Sequence, residues 1–318
     1  MVINGVLGPI HVDDLGQTLI HEHVACVDWS LRMCFGERFF NYDEVKDMAV
    51  LRFKEAYEAG IRTIVDGTPI NLGRDIKLIH DVAKESGVNI IASTGFYAHS
   101  QPNLEFRAER QIKDLLVAEC VEGINGTGIC PGILKVAVDR PGISEYNRKI
   151  LRAVGSAAAE TGLPVFCHTC PSIRNGDEAL DILTQSGVPA NRIILGHSGD
   201  CKDPDYLESL LEKGAWLGMD RFDPSCEAFS PFDQRIAVIV ELCRRGWTDR
   251  LFLSHDSSTY LCYYNYWSKH KERIKENSEG MFTRIHRLVI PELLCQGISE
   301  SDIHAMLTAN PKRFFSGT

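Results

Sequence analysis

The sequence predicts an α/β protein folded as a (β/α)8 TIM barrel, with a binuclear metal centre at the carboxyl ends of its strands. Three observations lead to this prediction. Eight short, apolar, β-branched runs recur along the 318 residues. Each gap between runs is long enough for a helix, as parallel strands require. Polar side chains interrupt or follow five of the runs at the same end.

In chain order the runs read TLIHEHV, IRTIVDGT, VNIIASTGFY, GILKVAVD, LPVFCHT, RIILGHS, GAWLGMD and RLFLSHD. The segment after FFNYDE repeats apolar residues at helical spacing, from Val45 to Ala56, and Gly60 follows as a stop. Asp203 and Pro204 have the types of an N-cap and first-turn pair before run seven. No linker or repeat divides the chain, so we expect one domain over residues 1–318.

Composition restricts the class of partner. With 44% hydrophobic and 24% charged residues, the chain is typical of a globular protein. The net charge of −9 argues against binding nucleic acid or an anionic membrane, so we expect a small-molecule substrate. No signal peptide or bilayer-length apolar run is evident, and we expect a cytoplasmic protein. The eleven cysteines, including the CHTC pair Cys167 and Cys170, are expected to be reduced thiols, with redox or zinc chemistry at CHTC as the alternative.

The run LIHEHV raises the question of why a strand should end in His-x-His. His21 and His23 are two positions apart and therefore share one face of a strand, which would be the barrel interior. Alone, they would fit a hydrogen-bonded core pair equally well. Polar residues also mark four other runs: Lys135, His168, His197 and Asp256. Burying all of them at one end of a barrel is costly without a shared partner, and a metal centre supplies one.

Four imidazoles and one carboxylate suit zinc or another divalent transition metal, and they exceed what one open catalytic zinc needs. We therefore expect two metals. An ammonium group at Lys135 would repel them. A desolvated lysine amine can instead react with carbon dioxide to give a carbamate, whose two oxygens could bridge both metals. A Schiff-base lysine is the rival, and the surrounding metal-type histidines make it the poorer choice.

The motifs LIHEHV, LKVAVD, PVFCHT, LGHSGD and LSHD, in that order, resemble those of the phosphotriesterase family of the amidohydrolase superfamily. The resemblance runs from GPIHVDDLGQTLIHEHV to the closing NPKRFF. It implies a centre of two divalent ions, zinc first and manganese, cobalt or iron as alternatives. The implied ligands of the buried ion are His21, His23 and Asp256, and those of the exposed ion are His168 and His197. Lys135, carboxylated, would bridge the two ions together with a hydroxide.

Within that family, TGFY with Tyr97 and GMDRF with Arg221 resemble the lactonase pattern. The hydroxide would attack the ester carbonyl, Asp256 would carry the proton towards the leaving alkoxide, and Tyr97 would position the carbonyl or support the oxyanion. Tyr97 could equally be mere packing. Arg221 could contact the substrate, or pair with Asp220 or Asp223 to hold a loop. An organophosphate hydrolase is the enzymatic alternative, and a non-catalytic binding barrel is the less favoured one.

Two stretches exceed the minimal repeat, and both should lie on the active-site face. The aromatics of WSLRMCFGERFF would cover the site or join two subunits of a homodimer. Residues 257–292 begin with an aromatic cluster and continue with a basic run: Tyr260, Tyr263, Tyr264, Tyr266, Trp267, Lys269, Lys271, Arg273 and Lys275. They would form a lid that reads an alkyl chain or an anionic group, or else an ordinary solvated helix. Acyl-homoserine, simple and sugar lactones all remain open. His255 and Glu22 should face away from the site.

Overall fold

The computed structural model describes residues 1–262 and 280–317. Its strands are β1 Val2–Gly5, β2 Gly8–His11, β3 Gln17–Val27, β4 Ile61–Asp66, β5 Asn89–Phe96, β6 Ile133–Ala137, β7 Val165–His168, β8 Ile193–Gly196, β9 Trp216–Met219, β10 Leu251–Leu253 and β11 Ser258–Cys262. Strands β1 and β2 form an antiparallel hairpin. The other nine form one parallel sheet in which β3 to β10 follow each other in chain order. These eight strands are the eight predicted runs, and the TIM-barrel prediction is confirmed.

The barrel closes where the segment after β10 meets β3. Ser254 Oγ donates a hydrogen bond to the carbonyl of His21 at 3.0 Å, and the N–H of Asp256 donates to the same carbonyl at 3.1 Å. Beyond it, β11 pairs in parallel with β3, with Ser258 opposite His23. For the stretch that includes residues 258–262, the sequence predicts a lid or a solvated helix. They form a strand instead, because this continuation of β10 runs directly along an unpaired edge of β3.

In the described chain, helices connect the strands as a parallel sheet requires. They are α1 Trp29–Phe35, α2 Tyr42–Glu58, α3 Ile76–Ser86, α4 Pro102–Glu105, α5 Glu109–Glu122, α6 Glu145–Thr161, α7 Gly176–Gln185, α8 Pro204–Glu212, α9 Phe232–Arg244, α10 Ile290–Cys295, α11 Glu300–His304 and α12 Asn310–Ser316. The predicted cap of α8 is confirmed, because the Asp203 side chain accepts from the N–H groups of Asp205 and Tyr206. Helix α2 buries Val45 and Ala56, as its spacing predicts.

One end of the barrel interior is filled by apolar side chains. Ile20, Phe166, Trp216 and Phe252 belong to this inner cluster, and Phe314 of α12 packs into it. Trp216 stacks on Phe252 with ring centroids 5.0 Å apart. A separate, larger core lies between the sheet and its helices. The inner cluster leaves only the opposite end of the strands for polar groups, which fixes where a site can form.

A β-bulge in β3 sets the direction of the two histidines. Leu19 pairs with Ile64 and Glu22 with Asp66, so three steps on β3 match two steps on β4. The extra residue changes which face the following side chains occupy. Ile20 and His21 are consecutive, yet both face the barrel interior. The His21 ring lies 4.3 Å from the ring of Phe166. Simple alternation along the strand does not predict this feature.

The first long stretch is partly exposed and partly core. In α1, Met33 is 78% exposed and Phe35 is 50% exposed. Phe39 and Phe40 are buried, so the expectation of exposed aromatics is wrong for these two. Tyr260 packs edge-on against Phe40 and donates its hydroxyl to the carbonyl of Phe39 at 2.9 Å. The homodimer stays a prediction.

Of the predicted lid, only Tyr260 is placed. The other members lie outside the described residues: Tyr263, Tyr264, Tyr266, Trp267, Lys269, Lys271, Arg273 and Lys275. Across residues 1–262 and 280–317, no helix is long and apolar enough to cross a membrane. All eleven cysteines fall within these ranges and none is in a disulfide. Burial raises the pKa of the Cys167 thiol to about 12, which makes CHTC a poor redox centre.

Candidate metal centre

All six predicted metal ligands meet at the carboxyl ends of the strands. They are His21, His23, Lys135, His168, His197 and Asp256. His21 Nε2 lies 2.7 Å from Lys135 Nζ. His23 Nε2 lies 3.1 Å from Asp256 Oδ1, and His197 Nε2 lies 2.6 Å from His168 Nδ1. The five residues other than Asp256 are buried. The structure therefore brings together residues that are up to 235 positions apart in the chain.

Asp220, which the sequence analysis did not single out as a site residue, orients two of the histidines. It follows β9 and is fully buried. Its Oδ2 lies 2.9 Å from His21 Nδ1, and its Oδ1 lies 2.7 Å from His197 Nδ1. Because a carboxylate only accepts, both rings donate through Nδ1 and keep a lone pair on Nε2. This is the form in which an imidazole binds a metal. The signal was present in the sequence, since Asp220 ends the run GAWLGMD.

The first cation position lies among His21, His23 and Asp256. Their ligand atoms lie close enough together to hold a metal. Asp256 Oδ1 is 3.4 Å from His21 Nε2, yet both atoms are acceptors and cannot hydrogen-bond to each other. His23 Nδ1 is engaged by Thr68 Oγ1 at 2.8 Å, which leaves Nε2 for the centre. These atoms are of the types that a divalent cation such as zinc binds.

His21, His197 and Asp220 also lie close enough together to hold a metal. Here, however, the facing ring atoms are the Nδ1–H groups that already donate to the carboxylate. We therefore conclude that Asp220 orients His21 and His197 through these contacts and is not itself a metal ligand. His168 and His197 face each other through Nδ1 and Nε2, 2.6 Å apart. The described residues thus include a group able to hold one metal ion at His21, His23 and Asp256, and the second ion stays a prediction.

Lys135 is the one amine in this set. It is 1% exposed, and its Nζ lies 4.0 Å from the centroid of the Phe166 ring. The carboxylates of Asp256 and Asp220 favour its protonated form, but burial outweighs them. Burial lowers the pKa of the Lys135 amine to about 8, so part of it is unprotonated near neutral pH. Gly67 lies against this group, since a Cβ there would be 2.6 Å from His21 Cδ2 and 3.3 Å from Lys135 Nζ.

The electrostatics of the cluster favour neutral imidazoles at His21, His168 and His197, and a protonated His23 beside an ionised Asp256. Burial lowers the pKa of His21 to about 4 and also lowers the pKa of His168 and of His197. Burial opposes protonation of His23 as well, but Cys26 and Asp256 outweigh it and raise its pKa well above the usual range. Burial would raise the pKa of Asp256, yet the surrounding histidines hold it well below its usual range. Neutral imidazole and carboxylate are the donors that divalent zinc prefers.

Three strained backbone positions lie at this site. His197, Arg221 and Asp256 have φ values of 64°, 68° and 57°, in the left-handed region that side chains other than glycine rarely adopt. Each such residue costs about 1–3 kcal/mol and persists only where its surroundings fix it. Hydrogen bonds supply that fixation here, for example from the His197 N–H to Asp220 Oδ1 at 2.9 Å. The strain turns each side chain at a strand end back into the centre.

Arg221 links the cluster to a second carboxylate. Its Nε lies 3.4 Å from Asp256 Oδ2, and its Nη1 donates to Asp200 Oδ2 at 2.8 Å. The proposed pairing with Asp220 or Asp223 is therefore wrong. The left-handed φ at Arg221 turns its side chain away from both neighbours in sequence. Asp200, the last residue of LGHSGD, was missed as its partner.

Tyr97 follows β5 and forms part of the wall of the pocket above the cluster. Its ring lies 5.0 Å from the ring of His168, edge to face. Its N–H donates to Asn71 Oδ1 at 2.6 Å, which fixes the backbone at the strand end. Apolar side chains complete the wall, including Leu72, Phe229 and Leu261. The cavity has a volume of about 210 Å³.

Glu22 and His255 lie on the far side of their strands, as predicted. Glu22 Oε1 is 2.7 Å from His255 Nδ1, and both residues are buried. Glu22 also accepts from the N–H of Ser257 at 2.9 Å, while His255 Nε2 accepts from the N–H of Ile285 at 3.0 Å. These bonds hold the segment that carries Asp256. The pair supports the site without entering it.

Comparison with known proteins shows the family to which the chain belongs. A family model described as the phosphotriesterase family matches residues 1–315. A phosphotriesterase homology protein of Mycobacterium tuberculosis is 35% identical over 323 residues, covering 98% of this chain and 97% of the relative. An aryldialkylphosphatase of Saccharolobus solfataricus is 35% identical over 311 residues, covering 96% and 97%. A solved structure of the phosphotriesterase from Mycobacterium tuberculosis superposes with a TM-score of 0.91 at 35% identity, covering 99% of this chain and 98% of that one. The chain therefore belongs to the phosphotriesterase family and has the fold of its hydrolases.

Proposed function

We propose that the protein is a metal-dependent lactonase. The observation that carries the proposal is the convergence of His21, His23, Lys135, His168, His197 and Asp256 beneath a small pocket. Two divalent ions, zinc first, would bind this cluster, and when bound they would polarise the ester carbonyl and supply hydroxide at neutral pH. The first would be held by His21, His23 and Asp256. The second would be held by His168 and His197.

Lys135 would complete the centre as a carbamate. Its unprotonated Nζ would attack the carbon of carbon dioxide: a C–N bond forms, one C=O π bond opens onto oxygen, and the nitrogen loses a proton to solvent. The product is an anion, which would attract cations where an ammonium group repels them. The position of Nζ, 2.7 Å from His21 Nε2, supports a role for Lys135 in holding metal.

Asp256 would handle the proton. One of its oxygens faces His21 and His23, and the other faces Arg221 Nε at 3.4 Å. The guanidinium stabilises the ionised carboxylate, which can then accept a proton from the attacking water and deliver it to the leaving alkoxide. Arg221 would thus act by holding Asp256 in place. Asp200 fixes the other end of the guanidinium.

We favour a lactone over a phosphotriester as the substrate. Tyr97 and apolar side chains such as Leu72 and Leu261 line the pocket above the cluster, which suits a small ring with an ester carbonyl. Tyr97 lies beside His168, where it would hold the ring carbonyl over the centre. The phosphotriesterase alternative is favoured by the 35% identity to an aryldialkylphosphatase. We propose such activity only as a weaker side reaction, because both substrates need the same ligand set.

Turnover of a substrate panel tests this proposal. Zinc- or manganese-loaded protein is incubated with acyl-homoserine, γ/δ- and phosphorylated sugar lactones and with an aryl phosphotriester. We expect one lactone class to give the highest kcat/KM, Asp256→Asn to abolish it, and Tyr97→Phe to lower it about 10-fold or more. Faster hydrolysis of the phosphotriester than of every lactone would assign the other activity. No turnover of any substrate by protein shown to hold both metals would refute both.

The proposed homodimer needs a separate measurement. The exposed Met33 and Phe35 of α1 support it, because large apolar side chains on a surface often mark a contact. We expect sedimentation at micromolar concentration to give the mass of a dimer. Met33→Glu should lower the fraction of dimer. A wild-type monomer would contradict the proposal.

A further inference from the structure

Three of the four histidines in the cluster have a hydrogen-bond partner on the ring nitrogen that faces away from it. Asp220 serves His21 and His197, and Thr68 serves His23. Such partners fix the tautomer and the ring direction of a metal ligand. The fourth histidine, His168, points its Nδ1 into the cluster, so its Nε2 is the nitrogen that needs a partner.

His168 Nε2 is buried and makes no hydrogen bond to the residues that the structure describes. The nearest carboxylate is that of Asp139, whose Oδ2 lies 3.6 Å away. Asp139 directly follows the run GILKVAV, and the N–H of Arg140 donates to its Oδ1 at 2.7 Å. That bond holds one oxygen and leaves the other directed at His168. A buried imidazole nitrogen facing a fixed carboxylate oxygen is the arrangement of a histidine and its supporting acid.

We propose that Asp139 is the positioning residue of His168. Its carboxylate accepts from Nε2–H and so favours the form of His168 with the lone pair on Nδ1, which faces His197. Without it, His168 can place its proton on Nδ1 and point an N–H at His197 Nε2, which excludes a cation there. This inference rests on the proposed two-metal site, but its first test does not.

Asp139 differs from the other supporting groups in its exposure. Its side chain is 37% exposed, whereas Asp220 and Thr68 are buried. It borders a cavity of about 470 Å³ between the loops that follow β5 and β6, beside His99 and Ser144. Its removal therefore opens no void in the core, and Asp139→Ala should fold normally. His168 would hold the exposed ion. Because Asp139 is partly exposed, the residue that supports this ligand is in contact with solvent.

The matched control is Glu145→Gln. Glu145 begins α6 in the same loop region, its side chain is 90% exposed, and its recorded ion pair is with Arg148. This variant removes the same charge without touching His168. Asp139→Asn is the conservative variant, because its amide oxygen can still accept from Nε2–H. If the loss of a negative charge alone caused the effect, Asp139→Asn and Glu145→Gln would both show it. If the contact with His168 is what matters, only Asp139→Ala should show the full effect.

The first experiment reads the tautomer in metal-free protein, from the ¹⁵N chemical shifts of His168 assigned with His168→Gln. We expect a larger share of the Nε2–H tautomer in the wild type, in Glu145→Gln and in Asp139→Asn than in Asp139→Ala. The second experiment titrates zinc against a competing chelator. We expect Asp139→Ala to weaken one of the two zinc equivalents about 10- to 100-fold and to leave the other unchanged.

Equal tautomer populations in wild type and Asp139→Ala, or equal zinc affinities in the two proteins, would overturn the role of Asp139. These results are separate from the fate of the proposed function. A protein that hydrolyses no lactone but shows the Asp139-dependent tautomer would keep this inference and lose the other. A lactonase with two zinc ions that are insensitive to Asp139 would do the reverse.

Discussion

Replacement of Asp220 by asparagine tests how this carboxylate affects both the metal affinity of the cluster and the unfolding free energy of the protein. Asp220 accepts three hydrogen bonds, from the Nδ1–H groups of His21 and His197 and from the N–H of His197, at 2.9, 2.7 and 2.9 Å. An asparagine side chain has one oxygen and an NH2 group in the same space. At least one of the two rings then meets a donor where it had an acceptor.

That ring has two options. It can keep its proton on Nδ1 and leave a buried donor unsatisfied, which costs about 1–3 kcal/mol of unfolding free energy. It can instead move the proton to Nε2, which restores the hydrogen bond but removes the lone pair that faces the metal. Either way, we expect metal affinity to fall about 10- to 100-fold, as for other lost partners of metal-binding histidines. The unfolding free energy should fall by no more than about 3 kcal/mol.

The assay combines a zinc titration against a chelator with urea unfolding of the metal-free protein. Asp233→Asn is the control, because Asp233 is exposed in the first turn of α9 and the same atoms are exchanged there. It should leave both measurements unchanged. Wild-type zinc affinity in Asp220→Asn would refute the assignment of Asp220 as the group that fixes both imidazoles.

Three further changes test other parts of the account. Gly67→Ala would place a Cβ 2.6 Å from His21 Cδ2, so we expect kcat/KM to fall more than about 10-fold. Thermal melting should show a loss of about 1–3 kcal/mol of unfolding free energy. Unchanged kinetics would contradict the close approach. Arg221→Lys cannot span two carboxylates as the guanidinium does, and steady-state kinetics should show kcat lowered by roughly 10-fold with KM little changed. Burial lowers the pKa of His286 to about 4, so between pH 6.5 and 4 the unfolded chain binds a proton that the folded one does not, and stability falls as the pH falls. His286→Leu should remove about 1–2 kcal/mol of that fall in urea titrations at pH 7 and pH 4.5, and an identical fall would show that this histidine is not responsible.

The sequence predicted the strands, and the polar residues that come together at their ends, for a simple physical reason. Parallel strands buried on both faces read as apolar runs, so a polar residue such as Lys135 or His168 at the end of a run is conspicuous. Strand order in a barrel then brings these ends together without further information. Glu22 and His255 could be set aside for the same reason, since side chains alternate along a strand.

The supporting residues could not be found in this way. Asp220 and Asp139 also end runs, but their partners lie on other strands, and which strand ends meet depends on the barrel register. The pairing of Arg221 with Asp200 depends on a left-handed backbone angle that alternation does not predict. The direction of His21 depends on a bulge in β3. Each of these is a property of the packed backbone, so local residue patterns carry little signal for it.

The central claim is that the cluster holds two divalent ions that hydrolyse a lactone. Zinc content per chain after dialysis, followed alongside lactone turnover as zinc is added back to stripped protein, tests it most directly. The account predicts that turnover appears only as the second zinc equivalent binds, and that Asp256→Asn shows none at any zinc content. Full turnover in protein stripped of metal, or saturation of binding at one equivalent with full activity, would contradict it.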